Sequence, residues 1–559
     1  MDRHLSHDMP TRDTSDTAHA KHMEVRLLVG DECRAWARSA ENRSQWAALY
    51  ETCPWGTAFQ TPSFFNVWFD HYGGQWIPVL AVAQSEGRLI GLMPLASRSG
   101  VITGVGAHQA EYHGWIGDEA AGPAFAGQAL DLLRGAFPTS RIHWRYVSPL
   151  VPAAVLEALA ARDPRVLVRR HECPYLSLDE QAIDDALKKK GNKSKLNRLK
   201  RLGDFGFKRL SSADWQTHAG AISAQCDFRQ GAVNDSCPFT DDPRKAPFHL
   251  AWFEAAPEQC HVSALFLGDA LIASVFLIKS KRTAHIGIVT YAPEVAAHSP
   301  SKLLLYMAAR ALAAEGCNQL DMTPGGDAWK ERFGTHHETA FELIAYPTRA
   351  EAMRIKLQAG MRRGLSAVAN ALSISPERRE AIKNVLRRST SSSTQERRPT
   401  GHTHILRVDL GNVKPRPQEV SIIANPLAEL VAWATRQGQG RRHEHLRRTL
   451  SRIEAGETCF AYPDGDGTLH AAWVETTGDG SVATLRGWTN EELDVASTAG
   501  RNLAEGIIQR LQSEGRVGSI TLAVAENDEH ALTFLKGLGF SLEQQVQRPG
   551  RATSSEGAG

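Results

Sequence analysis

The chain has 559 residues, too many for one hydrophobic core, so at least two and more naturally three domains are expected. Apolar residues make up 42% and charged residues 23%, with a formal net charge of +2, which is ordinary globular composition and gives no global pull toward nucleic acid. No run reaches the length of a membrane-spanning helix, the polar start Met1–His22 lacks the apolar centre of a signal peptide, and the eight cysteines include no CxxC pair; a cytoplasmic protein with reduced thiols and no metal centre is the expectation.

Residues 1–23 read as a disordered leader. A first unit follows over 24–178. A helix ends near Trp46–Tyr50, and Pro62 opens another with Thr61 as its cap. Trp76–Ala83 reads as a strand, Glu86-Gly87 as a turn, and Arg88–Leu95 as the returning strand. A helix over Gln128–Ala136 and a strand over Arg141–Ser148 complete an α/β signature.

A second unit, 179–347, opens on the basic run Lys188–Arg201. That run suits the phosphates of a nucleotide sugar, an RNA or an anionic membrane, or else is a solvated helix face. Strands are predicted over His261–Leu267, Ala270–Lys279 and Arg282–Tyr291. A helix over Pro300–Glu315 comes next, with Ser299 as N-cap and Gly316 past its end, then a strand over Asn318–Met322.

Residues 348–404 read as a basic helical region running into a Ser/Thr-rich linker. A third unit, 405–548, repeats the plan: a hairpin of Glu457–Pro463 and Leu469–Thr476, a strand over Ser481–Trp488, a helix over Ala499–Ser513, a strand over Ser519–Ala525 and a helix over Glu529–Leu538. Residues 549–559 read as a disordered tail. The histidine pairs His336-His337 and His443/His445 lack a third ligand and read as surface residues.

The segment His298–Leu305 followed by Leu320–Gly334 concentrates the chemistry. A helix starting at Ser299 offers unpaired N–H groups and a partial positive charge, suited to a pyrophosphate. Lys302 adds a full charge, Gly325-Gly326 permits close backbone approach, and Asp321 lies at the carboxyl edge of the sheet. His298 is a candidate general base, and Lys330 a candidate phosphate or sugar-acid ligand.

These residues resemble the GNAT superfamily, and more narrowly the CelD-type acetyltransferase-like family associated with cellulose and exopolysaccharide synthesis. Its "S-P-(small)-x-L-L" helix start matches Ser299, Pro300, Leu303 and Leu304, and its "D-x-x-x-G-x-x-x-x-K-x-x-F" matches Asp321, Gly325, Lys330 and Phe333. In the first unit, Phe59, Thr61, Pro62 and Phe64, then Gly91, Pro94 and Leu95, match two further motifs. Fem-type aminoacyltransferases, which pair two such units, look similar.

The resemblance implies an α/β (α+β) fold of tandem GNAT-like units with mixed, mostly antiparallel central sheets. It implies acetyl-CoA or another acyl-CoA as co-substrate, held by Ser299, Ser301, Lys302, Leu303, Gly325 and Gly326, with His298, Asp321 and Lys330 as catalytic residues. Ser301 stands where the family has glycine. Asn527–Phe540 resembles the end of a third GNAT-like unit, with Asn527 as a CoA contact, but Leu535 replaces the usual tyrosine acid and the phosphate loop reduces to Ser497–Asn502.

The expected function is acyl transfer to an amine or hydroxyl of a sugar or related metabolite, with polysaccharide-synthesis machinery as a possible partner. Two alternatives stand beside it: a non-catalytic GNAT-like scaffold, and Fem-like aminoacyl transfer from tRNA.

Overall fold

A computed structural model describes residues 23–358, 402–413, 420–463, 469–487, 495 and 497–547. The expected leader and tail, and most of the basic region and linker, lie outside these residues.

Two sheets organise the described chain. The first contains β1 (Glu24–Val29), β2 (Ile77–Ser85), β3 (Arg88–Arg98), β4 (Val101–Gly104), β5 (Ile116–Gly117), β6 (Arg141–Val147), β7 (Val166–Ser177), β8 (Phe205–Leu210), β9 (Cys260–Leu267), β10 (Ala270–Ser280), β11 (Thr283–Tyr291), β12 (Gln319–Asp321) and β13 (His336–Ala345). Its order is β1-β2-β3-β4-β6-β13-β7-β12-β11-β10-β9-β8, with β5 beside β3. The second contains β14 (His402–Asp409), β15 (Ile423–Ala424), β16 (Thr458–Pro463), β17 (Leu469–Thr476), β18 (Val482–Gly487), β19 (Ser519–Ala525) and β20 (Ser541–Gln547), in the order β15-β16-β17-β18-β19-β14-β20. β14 begins at His402, three residues inside the stretch expected as linker.

One plan recurs three times. An antiparallel meander ends in a strand that pairs in parallel with the strand following a helical crossover, as parallel pairing requires. The parallel pairs are β4 with β6, β11 with β12, and β18 with β19. The crossover helices are Gly122–Ala136, Pro300–Ala314 and Thr498–Glu514.

The middle strands β3 and β10 are almost wholly buried, so they read as continuous apolar runs rather than alternating ones. Pro94, which has no N–H to give, is tolerated within β3 because it falls between the stretches that pair with β5 and with β4.

The first two units are not separate sheets. β13, from the second unit, lies between β6 and β7 of the first, and β7 reaches on to β12. In the third unit β14 occupies the corresponding gap between β19 and β20. Lys281 ties the halves together again, donating to the carbonyls of Glu51 and Cys53 with its ammonium 5.2 Å from the Tyr50 ring centroid.

The third unit docks through helices Leu427–Arg436 and Gln439–Glu454. Their Leu430, Val431 and Leu446 pack on Phe228 and Ala232 of helix Ser212–Asn234. Arg442, buried in this contact, donates to Asp241 Oδ1 (2.6 Å) and to the Asp235 carbonyl (3.1 Å). His443 and His445 are half-buried here rather than on the open surface: His443 Nδ1 lies 3.0 Å from the Gly231 carbonyl, and His445 packs on Trp433. No described helix is long and apolar enough to cross a membrane.

Candidate active site

β11 and β12 stay paired for only three residues, Thr283↔Gln319, Ala284↔Leu320 and His285↔Asp321. β12 then ends, while β11 runs on to Tyr291. Six more residues, roughly 20 Å at about 3.3 Å each, leave that edge of β11 without β12 beside it, a strand cleft in the sheet. A bulge at Gly287 bends β11 as the cleft opens, where β10 passes from Phe276↔Ile288 to Leu277↔Ile286. A Cβ at Gly287 would stand 2.7 Å from Ile278 Cδ1 and 3.0 Å from the Phe276 carbonyl oxygen, so a side chain here would force its neighbours to shift.

At the open end helix Pro300–Ala314 begins. Ser299 is its N-cap residue, but with φ 50° and ψ 55°, left-handed instead of extended. A capping hydroxyl needs the extended backbone, so the side chain makes no cap bond. Its Oγ accepts from Lys195 Nζ at 2.7 Å instead. The Ser299 carbonyl accepts from the Lys302 and Leu303 amides (3.1 and 3.3 Å), so those amides are not free donors. The Leu303 side chain is fully buried under the sheet, so it offers no side-chain contact to a ligand at this turn. Ser301 is half-buried beside it.

Four cations converge on this turn. Burial, and then the neighbouring Lys195, Arg332 and Lys189, hold the Lys302 ammonium below its ordinary range. Among the described residues no carboxylate pairs with any of the four, so the turn carries an uncompensated positive charge. His298 sits among them: burial, Arg198 and Lys195 keep its imidazole below the usual value, and its Nδ1 has no partner among the described residues.

At the closed end Asp321 is completely buried. Its Oδ2 accepts from Tyr112 Oη (2.6 Å) and Tyr175 Oη (3.0 Å), and stands 3.0 Å from His285 Nδ1. Its Oδ1 accepts from Cys173 Sγ (3.0 Å) and from the Thr323 amide (2.7 Å). Burial alone would raise this carboxyl, but the His285 bond and charge, with the other donors, outweigh it and hold it below the ordinary carboxylate range. Burial, and then the same carboxylate, drives the Tyr112 and Tyr175 phenols well above theirs. His285 Nε2 is buried without a partner among the described residues.

The loop after β12 is built on this anchor. Thr323 takes the left-handed conformation (φ 65°), and Gly325 has φ 138°, which disfavours any other residue. Lys330 is buried and donates to Thr323 Oγ1 (3.0 Å) and to the Thr323 and Pro324 carbonyls (3.2 and 3.3 Å). It closes the loop and is not on a solvated helix face. Gly326 has open space around its Cα.

Glu111, from the first unit, comes within electrostatic reach of Asp321 and Lys330. Burial and the Asp321 charge push its carboxyl up to about 7, against the pull of Lys330 and Arg145.

Of the residues singled out in the sequence, Asp321, Gly325 and Lys330 gather at the closed end, and His298, Ser299, Ser301 and Lys302 at the open end. Asn527 is exposed at the end of β19 in the other sheet, apart from both groups. Glu111, Tyr112, Cys173, Tyr175 and His285 went unnoticed. The dense polar and aromatic stretch His108–His113 was a signal for the first two; the others carry none, since they reach Asp321 only through sheet pairing.

Residues 188–331 match the family of GNAT acetyltransferase domains. No curated protein matches the chain. Among solved structures, the C-terminal DUF2156 domain of a putative lysylphosphatidylglycerol synthetase from Agrobacterium fabrum is 14% identical, over 57% of this chain and 95% of that one, with a TM-score of 0.38. FemX is 10% identical over 54% and 95%, with a TM-score of 0.39. A tandem GNAT protein from the clavulanic acid biosynthesis pathway is 14% identical over 61% and 96%, with a TM-score of 0.21. A GNAT-type domain thus spans the cleft, and such a domain implies an acyl-CoA-type co-substrate in general.

Proposed function

We propose that the protein transfers an acyl group, acetyl in the simplest case, from an acyl-CoA donor to an amine or hydroxyl of a sugar or related metabolite. One observation carries this reading: a strand cleft whose open end is lined by unneutralised cations and whose closed end holds a near-neutral carboxyl. The donor's phosphates belong at Lys195, Lys302 and Arg332, and its thioester at the closed end. Glu111 is then the general base in place of His298, which lies among the phosphate-binding cations. Asp321 and Lys330 act as positioning residues, because their polar atoms are already engaged.

The threefold recurrence of meander, crossover helix and parallel strand supports reading all three units as GNAT-like. The third lacks the chemistry: Leu535 is buried and donates no proton. The link to exopolysaccharide or cellulose synthesis rests on the CelD-type motifs.

Calorimetry with acetyl-CoA tests the reading. Binding should be abolished or weakened at least tenfold by Lys195→Gln with Lys302→Gln; no heat at millimolar acetyl-CoA refutes it. A second reading, transfer from an aminoacyl-tRNA, is favoured by the basic helix Lys190–Leu202, which brings Lys195 to this same turn. It requires steeply salt-dependent binding of charged tRNA.

A further inference from the structure

A cavity of about 470 Å³ lies where the first unit meets the loop between helices Ser212–Asn234 and Lys245–Ala255. Arg98, Arg244 and Lys245 line it, together with His108, Asp241 and Asp242. The two carboxylates are already engaged. Asp242 Oδ2 accepts from Tyr72 Oη (2.7 Å) and Gln109 Nε2 (3.1 Å), with His108 Nε2 at 3.7 Å. Asp241 is held by Arg442 of the third unit.

The cations are not matched in the same way. Lys245 Nζ donates to the Gln109 carboxamide (2.7 Å), the neutral Gln75 carboxamide lies within hydrogen-bond reach of both Arg98 and Arg244, Arg98 stands 5.6 Å from the Trp76 ring centroid, and Arg244 comes no nearer to Asp242 than 4.0 Å. Among the described residues no carboxylate lies within ion-pair distance of Arg98 or Lys245. Three cations, of which only Arg244 has a carboxylate at ion-pair distance, leave an excess positive charge in a part-enclosed space, which favours an anion.

The cavity and the Asp321 cluster are joined by one short stretch of chain. His108 and Gln109 line the cavity, and two residues further on Glu111 and Tyr112 face Asp321.

We propose that this cavity holds the acceptor by a carboxylate or phosphate group on Arg98, Arg244 and Lys245, leaving the acceptor's amine or hydroxyl free to reach Glu111. The anion-binding half stands on the cavity alone; the assignment to an acceptor rests on the acyl-transfer reading.

Inorganic phosphate and succinate, titrated into the full chain by calorimetry, test both halves. Phosphate should occupy two sites, and Arg98→Gln with Arg244→Gln should remove one of them, weakening it at least tenfold while acetyl-CoA affinity is unchanged. Ser236→Asp places a carboxylate in the cavity without removing a side-chain hydrogen bond, and should do the same if the arginine variant misfolds. The preferred anion, phosphate or succinate, tells which group the acceptor carries. A single phosphate site removed by Lys195→Gln with Lys302→Gln, titrations unaltered by the cavity variants, or no binding of either anion at tens of millimolar overturns the proposal. Anion binding to the cavity in a protein that ignores acetyl-CoA would sink the acyl-transfer reading and leave the cavity as a binding site.

Discussion

Replacing Glu111 with glutamine should stabilise the protein above neutral pH. In the fold the Glu111 carboxyl is raised from its ordinary 4.5 to about 7. An acid whose folded pKa is raised binds more protons folded than unfolded between these values, so stability falls as pH rises from 4.5 to 7 and stays low above. At about 1.4 kcal/mol per pH unit the cost at pH 8 reaches roughly 3 kcal/mol, and solvent at this half-buried group reduces it to about 2 kcal/mol. Glutamine cannot ionise and escapes the cost.

Urea unfolding of the full chain at pH 4, 6 and 8 measures the difference, with the buried Trp46, Trp68, Trp115 and Trp144 reporting on the first core. The variant should match the wild type at pH 4 and gain about 2 kcal/mol by pH 8. A gap that does not change with pH, or a variant less stable at pH 8, refutes the placement of Glu111 beside Asp321. If Glu111 is also the base, wild-type acyl transfer rises with pH to a plateau with its midpoint near 7, and the variant loses about 10² to 10⁴ in rate.

Asp321→Asn puts an amide among hydroxyl, thiol and amide donors that expect an acceptor, and should cost about 3 kcal/mol in thermal or urea unfolding. Lys330→Met strands the Thr323 and Pro324 carbonyls; faster hydrogen exchange should be confined to residues 322–334, with about 1–3 kcal/mol lost. Ser299→Ala should leave the melting temperature within a degree or two, since no cap bond is lost, a result that a true capping serine would not give. Arg442→Ala leaves Asp241 without its cation and should make the third unit more readily cleaved from the rest in limited proteolysis, with a loss of about 1–3 kcal/mol.

The local elements were readable because their signals are local. Pro62 after Thr61, Pro300 after Ser299, and the apolar runs of β2, β3, β9 and β10 mark helices and strands to within a few residues. The recurrent plan was visible for the same reason.

Two features were not. The interleaving of β13 between β6 and β7 depends on pairing between residues such as Phe341 and Arg170, whose side chains say nothing about each other in sequence. The cleft depends on β12 stopping after three residues, whereas the pattern extends that strand to Met322. At the site, the sequence points to His298 as a base and the proposed reading points to Glu111, and the difference has a physical cause. His298 has a near-neutral pKa by nature, but Glu111 acquires one only from burial and from Asp321, 210 positions away in the chain.

The interleaved strands also bear on how the protein is made. β6 ends at Val147, yet the partner that covers its far edge is not complete until Ala345 has left the ribosome. For nearly two hundred residues of synthesis the nascent chain presents an open β edge that no local rearrangement can cover. Cutting at residue 178 to express the first half alone would make that transient exposure permanent, and such a fragment should precipitate where the intact chain remains dispersed.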